Sequence, residues 1–420
     1  MKKKVYVFGG GTFSHVRTHL SLAAPAFGTT AKIISKFAAE RFGTMDVELI
    51  LTKMASSDSS IVTNEDVAAK INELVLDNTT KVIFFNVAMC DFAGKIGQIQ
   101  SGKYSKRLST AEGPQSMIIT PSDKVISRIR KIRKDIFLVG FKTTAGASIQ
   151  EQYTQGLGLL KKTSCNLVLA NDVVSRQNMI ITPEESKYSV TTDRDQALAE
   201  IVDMAYHRSH LTFTRSSVVD GNPIPWNSDQ IYPALRTIVN YCISYGAYKP
   251  FNGATVGHFA CKLNENTFLT SIRKSNFNDI EKNGLVKVVT DGDDNVIAYG
   301  AKPSVGGQSQ RLIFSQHSGL DCIVHFHCPL KSDHVDDIPV VSQREYECGS
   351  HQCGQNTSNG LAMFRNGIAC VMLDKHGPNI VFNHSIDPQE VIDFISDNFD
   401  LSQKTDGFER VVFEKLAEHE

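Results

Sequence analysis

The sequence predicts two consecutive α/β domains: a doubly wound, mostly parallel sheet first, then a mixed α+β domain. Three observations carry this. The chain has 420 residues, more than one hydrophobic core usually organises. Its first half alternates short apolar runs with amphipathic stretches, the pattern of a sheet covered on both faces. Its second half joins shorter strands by polar turns.

The first-half strand candidates are residues 5–8, which run into Gly9-Gly10-Gly11-Thr12, then 47–51, 82–85, 136–141 and 166–170. Between them, 64–78 carries Val67, Ile71, Leu74 and Val75 at helical spacing behind a Thr63 or Asn64 cap. Residues 122–134 keep Val125, Ile126, Ile129 and Ile132 on one stripe, and a helix over 197–207 closes the series. Asp220-Gly221-Asn222-Pro223-Ile224-Pro225 supports neither helix nor strand. The expected boundaries are therefore a first domain over 1–215, a linker over 216–231 anchored by the single Trp226, and a second domain over 232–420. In that domain, Asn264-Glu265-Asn266 reads as one hairpin turn, and residues 291–295 form another between strands 286–289 and 296–299. Strands at 322–325 and 368–373 follow. A last helix starts at Asp387-Pro388 and continues through Val391, Ile392, Ile395 and Phe399.

Composition excludes several classes. Lys+Arg 44 against Asp+Glu 45 leaves a net charge of −1, without the basic excess of a nucleic-acid binder. No apolar run reaches the ~18 residues of a membrane helix. Met1-Lys2-Lys3-Lys4 opens no signal-peptide pattern. Nine cysteines without framework spacing predict a reducing cytoplasm, with free thiols or metal ligands. Nine of 13 His and seven of nine Cys lie beyond residue 230, so metal-capable side chains concentrate in the second half.

Gly9-Gly10-Gly11-Thr12 after a strand suits an anion, because backbone N–H groups approach closely where no Cβ intervenes and a following helix N-terminus adds a favourable field. A tight turn explains the glycines equally well. Further motifs follow in order: Val16-Arg17, Val87-Ala88-Met89-Cys90-Asp91-Phe92, Val139-Gly140-Phe141 and Leu169-Ala170-Asn171-Asp172-Val173. With these, residues 1–210 resemble the phosphopantothenoylcysteine synthetase domain of coenzyme A biosynthesis. The resemblance implies a Rossmann-like, dimeric fold in which a nucleotide, usually CTP, activates a carboxylate. Carried over, Gly10, Gly11 and Thr12 line the triphosphate, Asp91 and Phe141 border the nucleotide, and Asn171 and Asp172 lie nearby. Lys106 falls in the family's Lys-rich stretch, here Lys103-Tyr104-Ser105-Lys106-Arg107. The family's catalytic Asn position falls on Ser21, and Leu22-Ala23-Ala24-Pro25 replaces a Ser-Ser-Gly stretch. A hydroxyl does not replace a carboxamide that donates and accepts at once. The expectation is a retained nucleotide or phosphorylated-ligand frame without the ligase signature; a frame used only for oligomerisation is the alternative.

His325-Phe326-His327 closes a strand, where residues i and i+2 share a face and both imidazoles reach one ion. A third ligand stands in Leu373-Asp374-Lys375-His376-Gly377. Three His leave an open coordination position, the catalytic arrangement. With Gly257-His258-Phe259, Phe268-Leu269-Thr270 and Lys302-Pro303-Ser304-Val305-Gly306, residues 232–400 resemble the class II aldolase/adducin family. That family holds zinc-dependent sugar-phosphate aldolases, epimerases and dehydratases, and the metal-free adducins. The resemblance implies that His325, His327 and His376 bind Zn²⁺ or another divalent ion, which polarises a carbonyl and stabilises an enediolate. It places Ser304 and Thr270 in a phosphate pocket, with His258 where the family has Asn. The family's catalytic Glu, 19 residues before the first metal His, is Gly306 here. Gln308 and Gln310 are near but are no bases. Tyr346, 19 residues after His327, matches a proton-donating Tyr, and Glu347 or His351 offers a base. A solvated acidic turn and a structural thiol are the plainer readings, and a separate Cys348/His351/Cys353 metal cluster is another. His317, His334 and His384 read as ordinary histidines.

Together these readings predict a metal-dependent lyase or related enzyme acting on a small phosphorylated or nucleotide-linked sugar-like compound, with a nucleotide-binding first domain. A CTP- or ATP-dependent acid–amine ligase and a non-catalytic oligomeric scaffold are the alternatives. A homo-oligomer, dimer or tetramer, is expected.

Overall fold

Runs of β-branched and aromatic residues build two sheets in the computed structural model, which describes residues 2–251, 253–293, 295–304 and 307–405. The chain divides into two units: Met1–Pro183 with Lys187–Ser209, and Glu184–Ser186 with the residues from His210 onward.

The first unit holds a seven-stranded sheet in the order Lys187–Thr191, Asn178–Ile181, Leu167–Asp172, Phe137–Thr144, Thr80–Ala88, Lys4–Gly11, Asp46–Leu51. The last five in that order run parallel to one another, and the first two are antiparallel additions. This is the mostly parallel, Rossmann-like sheet expected. Val5, Val7, Phe84 and Val139 pack against residues of helices Thr29–Arg41 and Arg194–Ser209. Helix Asn64–Leu76 starts at Thr63 with a capping box closed by Asp66, which satisfies two otherwise orphaned N–H groups.

Several elements differ from the sequence reading. The first strand runs on through the glycines to Gly11. The helix expected over 122–134 shortens to Ile126–Ile132, because Ser122 N–H donates to the Asp91 carbonyl and holds the chain out of helix. Helix Ile149–Thr163, which the sequence reading did not single out, contains Gly156 and Gly158. A Cβ on Gly156 would strike Ile181, so that glycine is a packing requirement. An antiparallel ribbon of Phe92–Ile96 and Met117–Pro121 stands outside the main sheet.

The second unit holds a ten-stranded sheet. Its main order is Arg215–Val219, Asn295–Tyr299, Leu285–Thr290, Thr267–Ser271, His258–Asn264, Cys322–His325, Gly377–Phe382, Ala369–Leu373, Val340–Val341. The stretch 216–231, expected as a linker, is part of this unit. Arg215–Val219 pairs in parallel with Asn295–Tyr299, and Ile224 exchanges backbone hydrogen bonds with Leu285. Trp226 is buried against Phe259 and donates to Asn240 Oδ1 at 3.2 Å. Turn-rich residues lack local structure of their own, but long-range pairing orders them. One face of the sheet packs Phe259, Cys261, Val324 and Ile380 against helices Pro233–Ser244 and Pro388–Asn398. The other packs Ala260, Ile323 and Val381 against Ile313 and Phe314 of helix Gly307–Gln316. Register aligns His258 with His325 and His325 with Asn379 across three adjacent strands.

Candidate metal centre

The first-unit residues are mostly committed to holding the backbone. Gly10 sits at φ 104°, and its Cβ would run into the Thr52 hydroxyl; a Cβ on Gly11 would run into the Ala24 carbonyl. These glycines let neighbouring chain lie against the strand end. The next helix arrives only at Thr29, after a hairpin of Phe13–Arg17 and Leu20–Ala23, so it does not follow the glycines directly as expected. Its start does reach them, because a Cβ on Gly9 would meet Ala31. Thr12 is fully buried: its hydroxyl donates to Asn64 Oδ1 at 2.7 Å and accepts from Cys90 N–H at 2.8 Å. These two bonds tie the strand end to the helix start. Asp91 is exposed and paired with Lys124 Nζ at 2.5 Å. Lys106 is exposed, and Phe141 is half-buried against the core. Ser21 Oγ is bonded to His15 Nδ1 at 2.8 Å.

Asp172 is buried and turned inward, an arrangement the sequence reading missed. One carboxylate oxygen accepts from Val174 and Ser175 N–H at 2.9 and 2.8 Å, the other from Thr144 Oγ1 and Ala147 N–H at 2.9 and 3.0 Å. These donors hold its carboxyl well below the usual carboxylate range. Beside it, Asn171, Arg176, Asn178 and Arg194 line an open depression that offers both cationic and amide groups to a ligand.

In the second unit, His325 ends the strand Cys322–His325, and His327 follows two residues later. His376 lies in the turn between Ala369–Leu373 and Gly377–Phe382. Gly377 presses onto the Phe326 carbonyl, where no Cβ fits, and this close approach brings His376 to the other two. Ring centroids are 5.1 Å apart for His325–His327, 4.7 Å for His325–His376 and 4.5 Å for His327–His376. All three residues are buried, with candidate ligand nitrogens within 4.8 Å of one another. His325 Nδ1 donates to the Pro378 carbonyl at 2.7 Å, which leaves Nε2 as the ligand atom. Burial pushes His325 down to about 4, so it is the neutral imidazole a metal needs. Three buried imidazoles at this spacing suit zinc. No other group of three or more metal-capable residues gathers among the described residues, so the Cys348/His351/Cys353 cluster does not form. His351 Nε2 instead meets Thr214 Oγ1 at 3.1 Å, and the buried Cys353 Sγ meets Gln343 Nε2 at 3.3 Å inside helix His351–Gly360.

The residues assigned to a phosphate pocket hydrogen-bond within the protein. Thr270 donates back to the Phe259 carbonyl at 3.2 Å, and Ser304 pairs with Ser271 at 2.6 Å. His258 is buried, with Nδ1 2.7 Å from Gln310 Nε2 and its ring 4.8 Å from that of His325. Burial, then the neighbouring His325, pushes it well below the ordinary histidine range. Gly306, and the Gln308 side chain, lie outside the described residues. Tyr346 and Glu347 are half-buried on the loop before helix His351–Gly360. That loop is pinned by Tyr346 N–H to the Gln343 carbonyl and Ser350 N–H to the Glu347 carbonyl, both at 3.1 Å. The sequence reading passed over Asn379, a polar residue in an apolar strand, whose buried Oδ1 has no protein partner. Cys348, read from sequence as a structural thiol or part of a separate cluster, has its Sγ 3.7 Å from His376 Nε2. His317 binds Ser358 Oγ at 2.9 Å, His334 the Lys331 carbonyl at 2.9 Å, and His384 the Asp321 carboxylate at 2.5 Å.

Among the described residues, no helix is long and apolar enough to cross a membrane. The family model for the Class II Aldolase and Adducin N-terminal domain matches residues 236–383. The N-terminal half is similar to the Coenzyme A biosynthesis bifunctional protein CoaBC of Thermococcus kodakarensis, 26% identical over 176 residues. That match spans 40% of this chain and 41% of the relative, less than half its length. Among solved structures, the chain resembles the DNA/pantothenate metabolism flavoprotein from Streptococcus pneumoniae, at 19% identity and a TM-score of 0.40. This covers 48% of this chain and 99% of that one. It also resembles L-fuculose-1-phosphate aldolase from Thermus thermophilus, at 15% identity and a TM-score of 0.30. Here the cover is 46% of this chain and 95% of that one. The chain thus joins a domain similar to phosphopantothenoylcysteine synthetase to a domain of class II aldolase type.

Proposed function

We propose that the protein is a metal-dependent lyase of class II aldolase type, acting on a small hydroxylated carbonyl compound. The observation that carries this is the three buried imidazoles with ligand nitrogens within 4.8 Å. A divalent ion held there, Zn²⁺ by donor chemistry, supplies Lewis-acid polarisation of a carbonyl oxygen. His325 is locked in one tautomer by Pro378, so its Nε2 is presented without reorganisation. Tyr346 and Glu347 are the proton-transfer candidates, carried on a loop fixed at both ends. His258 and Gln310 form a neutral polar wall beside His325, suited to substrate hydroxyls.

The test is retro-aldol cleavage and dehydration of a panel of short hydroxyketones and ketose phosphates, with and without chelator. The activity should vanish on chelation, return with Zn²⁺ and be absent in the His325→Ala/His327→Ala/His376→Ala variant. Turnover that survives both treatments defeats the reading.

A second reading, a nucleotide-dependent ligase run by the first unit, is favoured by the similarity to CoaBC. The depression beside Asp172 is where CTP or another nucleotide would bind in it. Pyrophosphate release from CTP or ATP with a carboxylate and an amine, undiminished by chelation of the His site, would support it. Ser21, already bonded to His15, argues for binding without ligation. We further propose a cytoplasmic homo-oligomer. The support is the apolar, exposed ribbon strand Met117–Pro121, on which Ile118 is 69% exposed.

A further inference from the structure

Two of the three histidines sit on segments that sheet pairing does not fix. His327 lies beyond the end of strand Cys322–His325, and His376 lies in the turn before Gly377. Both segments are reached by the stretch that follows helix Pro388–Asn398, past residue 383 where the family model ends. Asp400 N–H donates to the Pro329 carbonyl, and Thr405 N–H to the His327 carbonyl, both at 3.0 Å. Thr405 Oγ1 donates to the His376 carbonyl, also at 3.0 Å. Thr405 is buried, so these bonds do not compete with bulk water. The stretch is itself anchored. Leu401 packs in the core with Phe399, and the buried Lys249 Nζ donates to the Leu401 carbonyl at 2.5 Å and to the Gly246 carbonyl at 2.8 Å. One residue far along the chain thus bridges the backbone of two candidate ligands. The bond from His325 Nδ1 to the Pro378 carbonyl ties the third to the same turn.

We propose that residues 400–405 form a strap that preorganises the metal centre, with Thr405 as its positioning residue. The inference rests on the reading of the three histidines as a metal centre. Thr405 touches neither ion nor substrate. Its amide and hydroxyl set the separation of the His327 and His376 backbones, and with it the spacing of their imidazoles. Without the hydroxyl bond, the ion must order the His376 turn itself, and that ordering comes out of its binding free energy. The coupling is reciprocal: the factor by which the closed strap raises metal affinity is the factor by which metal favours the closed strap.

The experiment uses the full chain, stripped and reloaded with Zn²⁺ or Co²⁺. Thr405→Val keeps the shape and the amide but loses the hydroxyl bond. It should lower Zn²⁺ affinity by about tenfold, the lower end of what losing an outer-sphere partner costs, and shift the visible bands of the Co²⁺ protein. Thr405→Ser keeps the hydroxyl and should restore both. In the unmodified protein, Zn²⁺ should slow hydrogen exchange of the peptide carrying Thr405 by about tenfold, and by more than in helix Arg194–Ser209; this readout needs no variant. Parental affinity and spectrum in Thr405→Val, a Thr405→Ser as impaired as Thr405→Val, or exchange at Thr405 indifferent to Zn²⁺ overturns the proposal and leaves the three-histidine centre standing. Failure of the unmodified protein to bind Co²⁺ any better than the triple His→Ala variant overturns both.

Discussion

His325 Nδ1 donates to the Pro378 carbonyl at 2.7 Å, and Pro378 lies two residues beyond His376. One hairpin turn therefore supplies the third imidazole and orients the first. Gly377 makes that turn possible: its φ is 152°, and a Cβ would run into the Phe326 carbonyl. Gly377→Ala should cost about 1–3 kcal/mol of backbone strain and separate His376 from its partners. Metal content after dialysis and the thermal midpoint should both fall; a variant with unchanged metal content refutes the hinge role.

Removing any one imidazole should weaken Zn²⁺ binding by more than the about 10–100-fold that loss of an outer-sphere partner costs. His325→Ala, His327→Ala and His376→Ala are compared with His317→Ala, whose imidazole binds Ser358. Competition with a chromophoric chelator reads the affinity. Equal affinities in all four would remove the metal centre.

Thr12 ties strand end to helix start through Asn64 and Cys90. Thr12→Val keeps the shape but removes both bonds, leaving Cys90 N–H and Asn64 Oδ1 to each other at 3.2 Å, so it should destabilise the first unit by about 0.5–1.5 kcal/mol. Urea denaturation measures this; a neutral result would return Thr12 to the ligand-binding list.

Asp172 provides the pH dependence. Its folded carboxyl is held below the ordinary carboxylate value by backbone N–H donors. A depressed acid contributes stability that is fully present above its unfolded value, about 3.9, and is lost as pH falls toward the folded one. Asp172→Asn should thus be markedly less stable than the parent at pH 7, with the gap narrowing below pH of about 4. A gap independent of pH would mean the carboxylate is not what those donors need.

The ribbon of Phe92–Ile96 and Met117–Pro121 exposes Phe92, Ile118 and Ile119 together. Ile118→Lys with Ile119→Lys should lower the mass seen by light scattering at micromolar concentration without loss of helical signal. An unchanged mass would place the oligomer contact elsewhere or leave the chain monomeric.

Much of the architecture was legible in the residues alone. Apolar runs such as 82–85 and 137–139 must be buried on both faces, which only a covered parallel sheet provides. The Thr63 and Asp387 caps were readable because capping is local chemistry. His325 and His327 were legible as a pair because strand geometry sets i and i+2 on one face. What lies far apart in sequence was decided by tertiary structure. Residues 216–231 join a sheet because Asn295–Tyr299 and Leu285 offer partners. Thr12 and Asp172 turn inward because the backbone around them needs partners for its buried N–H groups. Cys348 reaches His376 because a pinned loop and a glycine-tight turn converge on one strand end. The sequence by itself determined two α/β domains and three metal-type histidines, since local pattern and strand period suffice for those. Only the tertiary structure decided which polar groups are spent on the fold and which face a ligand, because a hydrogen bond across 78 residues leaves no trace in spacing.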